Sequence, residues 1–131
     1  MLFRSRDGGV YIVDFGRLKS KKSIEYFAYQ YADRQPELFT LDYLYSLNAA
    51  FTAEDFRNVT RAHLEGRAQV YATFIAPFMV AVKSSARREP GMDLRERITE
   101  LRERLPTHHQ VDVSDLVSWF GMSGLKSKLL H

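Results

Sequence analysis

The chain opens with two short apolar-rich runs, Leu2–Arg6 and Val10–Phe15, separated by Asp7-Gly8-Gly9. A tight type I′ turn needs positive φ at both central residues, which Asp-Gly and Gly-Gly tolerate, so residues 1–16 are predicted to form a β-hairpin. Val10-Tyr11-Ile12-Val13 is continuously β-branched or aromatic, the mark of a strand covered on both faces. A lone hairpin is marginal in water, so it has to pack on helices or pair with a further strand.

From residue 23 onward the apolar period changes to three and four. Ser23 is placed to cap a helix reaching about Asp33, with Ile24, Phe27 and Tyr31 inward and Gln35-Pro36 ending it. A third strand over Ile24–Tyr31 is the alternative, because Tyr and Phe favour strands. Thr40 starts a second helix to about Ala50, with Leu41, Leu44, Tyr45 and Leu47 on its buried side. Thr52-Ala53-Glu54-Asp55 reads as another helix start, with a hydroxyl acceptor and two acids at the positive end of the dipole. Phe56, Val59 and Thr60 carry that helix towards Gly66, and Tyr71, Phe74, Ile75, Phe78, Met79 and Val82 continue the spacing. A long helix or helix pair over 53–87, interrupted at Gly66 or Pro77, is therefore expected as the core. Arg87–Gly91 is a turn, and Asp93 caps a helix with Leu94, Ile98, Leu101 and Leu105 on one side until Pro106 stops it. Residues 107–110 read as a loop, and 113–130 as a last helical region divided near Gly121-Met122-Ser123-Gly124. The expected fold is an α-dominated α+β domain covering 1–131. It comprises a hairpin (1–16), a basic linker (17–22) and a helical region (23–130) of about five helices.

Length and composition narrow the function classes. The chain's 131 residues fit one domain with a core of its own. It has no cysteine, which removes disulfides, cysteine–zinc sites, iron–sulfur clusters and thiol nucleophiles. Charge interrupts the N-terminus too early for a signal peptide. The longest apolar stretch, Phe74–Val82, is nine residues with a proline, against about 20 for a membrane span. A cytoplasmic protein off the membrane is expected. The net charge is +3, and its distribution matters more than its sum. Residues 1–22 hold six basic side chains and two acids, while the other 109 hold thirteen basic and fourteen acidic ones.

That local excess defines the first candidate site. Arg4 and Arg6 on the first strand, with Arg17, Lys19, Lys21 and Lys22 in the linker, form a stripe that can track phosphates, and Tyr26 and Tyr29 lie near enough to stack bases. The bland reading is a solvated loop, or edge charges that discourage aggregation. A second candidate is Ser114–Leu130, which loosely resembles a helix-turn-helix: Leu116 and Phe120 as inner positions, Gly121 as the turn, Met122 and Ser123 leading into a second helix, and Lys126 and Lys128 facing phosphates. It departs from the pattern at Val117, which is large for a helix crossing, and in its short second helix. Two helices closing the core around Trp119 and Phe120 are the bland alternative. The stripe on the 93–105 helix fits a short seam with a partner helix, and equally a core face.

Tyrosine clustering makes a different case. Tyr26, Tyr29, Tyr31, Tyr43, Tyr45 and Tyr71 supply the amphipathic rings that protein interfaces use, with Tyr26, Tyr29 and Trp119 as anchors. The enzymatic option rests on His108, His109 and Asp112 as metal ligands, and no second cluster completes a shell. The reading is thus a small non-enzymatic regulatory protein without cofactor or bound metal. Its partner is nucleic acid, through the basic hairpin and linker, or another protein (including a second copy), through the tyrosine-rich helices or the hairpin edge.

Overall fold

The computed structural model describes residues 8–64, 66–85 and 91–125. Its elements run β1 (Tyr11–Phe15), α1 (Lys21–Tyr29), α2 (Glu37–Ala49), α3 (Ala53–Leu64), β2 (Ala68–Ala72), β3 (Met79–Ser84), α4 (Met92–Glu103) and α5 (Thr107–Met122). The three strands form one antiparallel sheet in the order β1-β3-β2. The α+β class expected from sequence is what the molecule has.

β1 has a further strand beside it, one of the two supports that a marginal hairpin is expected to need. β1 pairs with β3, Ile12 opposite Val82 and Asp14 opposite Val80. The first arm of the predicted hairpin, Leu2–Arg6, lies outside the described residues. The main correction concerns 68–84, read as helix within the 23–130 region. It is a β-hairpin, Val70 opposite Val82 and Ala72 opposite Val80. β3 is the central strand, and its consecutive Val80, Ala81 and Val82 are all buried. A strand covered on both faces gives an unbroken apolar run rather than an alternating one. The loop 73–78 then adds Phe74, Ile75 and Phe78, whose offsets from Tyr71 and Met79 imitate a helical period. Thr73, 2% exposed, builds that loop. Its hydroxyl donates to the Ala76 carbonyl, and the Met79 amide donates to it at 3.3 Å.

Helix starts follow local capping chemistry. Ser20, not Ser23, caps α1 and accepts from the Ser23 amide at 3.1 Å. α1 stops at Tyr29, short of Asp33. Pro36 precedes α2, which starts before Thr40. At α3 the Thr52 hydroxyl accepts from the Asp55 amide at 3.1 Å, and the Asp55 carboxylate accepts from the Thr52 amide at 2.8 Å. This reciprocal pairing satisfies two otherwise orphaned donors. It also holds the Asp55 carboxyl below its ordinary range, the Thr52 side chain first and the Thr52 backbone next. Residues 107–110, read as a loop, are the first turn of α5, which follows directly on Pro106.

The core cluster is Leu18, Ile24, Ala28 and Leu47, ringed by Phe15, Phe27, Tyr43, Leu44, Ala76 and Phe78. It joins α1 and α2 to the end of β1 and to the β2–β3 loop. Gly16 is buried there, and its amide donates to the Phe78 carbonyl at 2.9 Å. A Cβ at Gly16 would overlap the Pro77 carbonyl oxygen, so only glycine lets the two backbones approach. Among the described residues, no helix is long and apolar enough to cross a membrane.

Candidate functional site

A cleft of about 480 Å³ opens between α1 and α5, beside the core. α1 contributes Tyr26 and Phe27, with Gln30 at its C-cap and Tyr31 just after it. Phe78 comes from the end of the 73–78 loop, Met79 from the start of β3, and Asp112, Asp115, Leu116 and Trp119 from α5. The α5 positions are spaced by three, one and three residues, which places them on one helical face. Four rings run in succession across the cleft. Tyr26 meets Phe27 edge-on at 5.5 Å, Phe27 stacks on Phe78 at 4.7 Å and 16°, and Trp119 meets Phe78 at 5.5 Å and 85°. Phe27 and Phe78 also pack on the core, so the floor of the cleft is braced from behind. The Phe74 amide donates to the Trp119 carbonyl at 3.2 Å and ties the end of α5 to the loop.

The polar rim is organised around Asp112. Tyr31 Oη donates to Asp112 Oδ1 at 2.7 Å, across 81 residues of sequence. That hydrogen bond, followed by partial burial and the negative charge of Asp112, raises the Tyr31 pKa above its ordinary value. His109 Nδ1 lies 3.3 Å from Asp112 Oδ2, and the His108 ring sits 6.4 Å from Tyr31. The charged side chains lining the cleft among the described residues are both carboxylates, Asp112 and Asp115. Among the described residues, no group of three or more acids and histidines is placed to hold a metal ion.

No family model, curated protein or solved structure matches the chain. The site therefore has to be read from its own residues.

The sequence-derived candidates fall into three groups. Tyr26 and Trp119 meet in the cleft, while Tyr29, exposed on α1, does not line it. The linker cations separate by role. Leu18 is buried at their centre, and Arg17 Nε donates to the Ala50 carbonyl at 2.9 Å, so Arg17 fastens the linker to the α2–α3 turn. Lys21 pairs with Glu25 at 3.8 Å, and Lys19 and Lys22 are exposed beside it. Arg4, Arg6, Lys126 and Lys128 lie outside the described residues. The helix-turn-helix reading loses its turn: Gly121 is inside α5, and the positive φ falls at Gly124, three residues later. The proposed second helix lies outside the described residues.

Sequence reasoning missed Phe27, Phe78, Asp115 and Leu116 as parts of one site. The spacing of Asp112, Asp115, Leu116 and Trp119 was available, but reading 107–110 as a loop cut the helix short. It also missed a second cleft of about 420 Å³, lined by Arg57, Thr60 and Arg61 of α3, by Gln69 and Tyr71 of β2, and by Ser123. Arg57 is paired there with Glu54 at 3.2 Å.

Proposed function

We propose that the chain is a non-enzymatic, cytoplasmic protein-interaction module whose contact site is the cleft between α1 and α5. One observation carries this reading. Tyr26 and Trp119, from the two ends of the sequence, share a cleft whose rings are braced by the core while Tyr26 stays 68% exposed. Energetically dominant interface residues are typically tyrosine and tryptophan in well-supported pockets with a polar rim. Exposed Leu38, Phe39 and Tyr45 on α2 add further apolar surface of the kind association uses. The carboxylates in the cleft argue against a nucleic-acid backbone as its occupant, since like charges repel.

The test compares the native protein with Trp119→Ala and Tyr26→Ala by affinity capture and by light scattering after size exclusion. A stoichiometric partner, or a second copy, should be held by the native protein and released by both variants. A native protein that stays monomeric and captures nothing would remove the reading, as would a partner retained by both variants.

A second reading, nucleic-acid binding, is supported by a separate observation. Lys21 and Lys22 occupy the first turn of α1, which carries no acid, so side-chain charge and the positive helix end add rather than offset. The salt dependence of binding, and its change on removing exposed lysines, is the test of this reading.

A further inference from the structure

We propose that the α1–α5 cleft accepts one cationic side chain, a guanidinium or ammonium, from a basic segment of the protein partner. The proposal rests on the interaction reading above and gives that partner a chemistry. Two features of the site point the same way. The rings meet near right angles at Tyr26–Phe27 (83°) and at Phe78–Trp119 (85°). Such junctions make corners of ring surface rather than one flat platform. A cation held within about 6 Å of aromatic faces is attracted by their quadrupoles, most strongly by tryptophan. The apolar stem of a lysine or arginine would lie along Leu116 and Phe27 while its head reaches the rim.

The second feature is charge. Asp112 and Asp115 stand three residues apart on the face of α5 that lines the cleft, and among the described residues the lining includes no lysine or arginine. Asp112 is held in place by the Tyr31 hydroxyl on one oxygen and approached by His109 on the other. A carboxylate offers about four acceptor positions, so these two partners leave capacity for an incoming N–H donor. Asp115 is exposed one turn further along. An apolar peptide would offer neither carboxylate a new donor in exchange for lost water, which is costly. An acidic peptide or a phosphate would meet like charge.

Trp119 is the only tryptophan in the chain, so its emission reports occupancy of the cleft directly. The probes are three blocked tripeptides: glycine-arginine-glycine, glycine-lysine-glycine and the neutral isostere glycine-citrulline-glycine. A saturable change with the arginine or lysine peptide, and none with citrulline over the same range, is the expected result. Asp115→Asn, an exposed change that leaves the Tyr31–Asp112 bond intact, should weaken the cationic peptide by about tenfold, the size of a missing charge-assisted hydrogen bond. Equal response to citrulline, or unchanged affinity in Asp115→Asn, would overturn the proposal. Free arginine amide binding as tightly as the peptide would overturn the partner-borne source and leave a small-cation site. An emission change on concentrating the protein alone, without peptide, would replace the partner with a second copy. Should the peptides fail while capture by the native protein still depends on Trp119, the cationic chemistry falls and the interaction reading stands. If capture fails as well, both fall.

Discussion

At the scale of single residues, the bond between Tyr31 and Asp112 is the one that shapes the rim. It joins the end of α1 to α5 and leaves a phenol as the donor to a carboxylate. Tyr31→Phe keeps the ring and removes only the donor. It should cost about 1 kcal/mol or less, because a partly exposed bond of this kind is screened by solvent. Thermal melts of the two proteins read the difference directly. The pH dependence has a definite sign. Because the folded-state Tyr31 pKa is raised, its contribution is fully present below the unfolded value near 10 and fades as pH rises through the higher folded value. The gap between native and Tyr31→Phe melts should therefore be constant at neutral pH and close only above about pH 10. The sequence pattern places Tyr31 at an inward helix position, whereas α1 ends at Tyr29 and Tyr31 lies in the turn after it. Its partner was not legible, because nothing local links residues 81 apart.

At the scale of elements, the β2–β3 hairpin shows where periodicity misleads. Its strands are only five and six residues long, and the apolar loop between them packs Ala76 and Phe78 on the core. Apolar residues in a loop fill the gaps that would otherwise mark a strand boundary, and a short apolar run cannot be told from a buried helix segment by spacing alone. By contrast, the α3 start was legible, because its capping pair lies within four residues of sequence. What holds the misread loop is Thr73, whose hydroxyl serves the Ala76 carbonyl and the Met79 amide. Thr73→Val conserves the shape and removes both bonds inside a buried site. A loss of about 2 kcal/mol is expected, since buried polar groups left without partners pay their desolvation cost. Urea denaturation measures it; a loss below about 0.5 kcal/mol would mean that water replaces the hydroxyl there. Because Phe78 sits at the end of this loop, the same substitution should also shift Trp119 emission.

At the scale of the whole molecule, the charge asymmetry was fully legible by counting, but the division of labour within it was not. Six of the basic side chains fall in the first 22 residues. A count treats Arg17 and Lys19 alike. The fold separates them, because Leu18 between them is drawn into the core and turns Arg17 onto the Ala50 carbonyl. Lys19 and Lys22 keep no such duty and stay exposed. Two measurements follow from this separation. Arg17→Ala should lower stability by about 1 kcal/mol, the net worth of a side-chain bond to a partly buried carbonyl. Lys19→Ala and Lys22→Ala should leave stability unchanged within about 0.5 kcal/mol, as exposed substitutions do. If the nucleic-acid reading holds, these two lysines act on binding instead. Each substitution should then reduce the slope of log affinity against log salt for duplex DNA by about one, as expected when one fewer phosphate is neutralised. Trp119→Ala should leave that slope untouched, because the cleft carries the opposite charge. A native protein with no affinity for duplex or single strand at low salt would end the nucleic-acid reading. The exposed lysines would then serve solubility beside an interface defined by the acidic aromatic cleft.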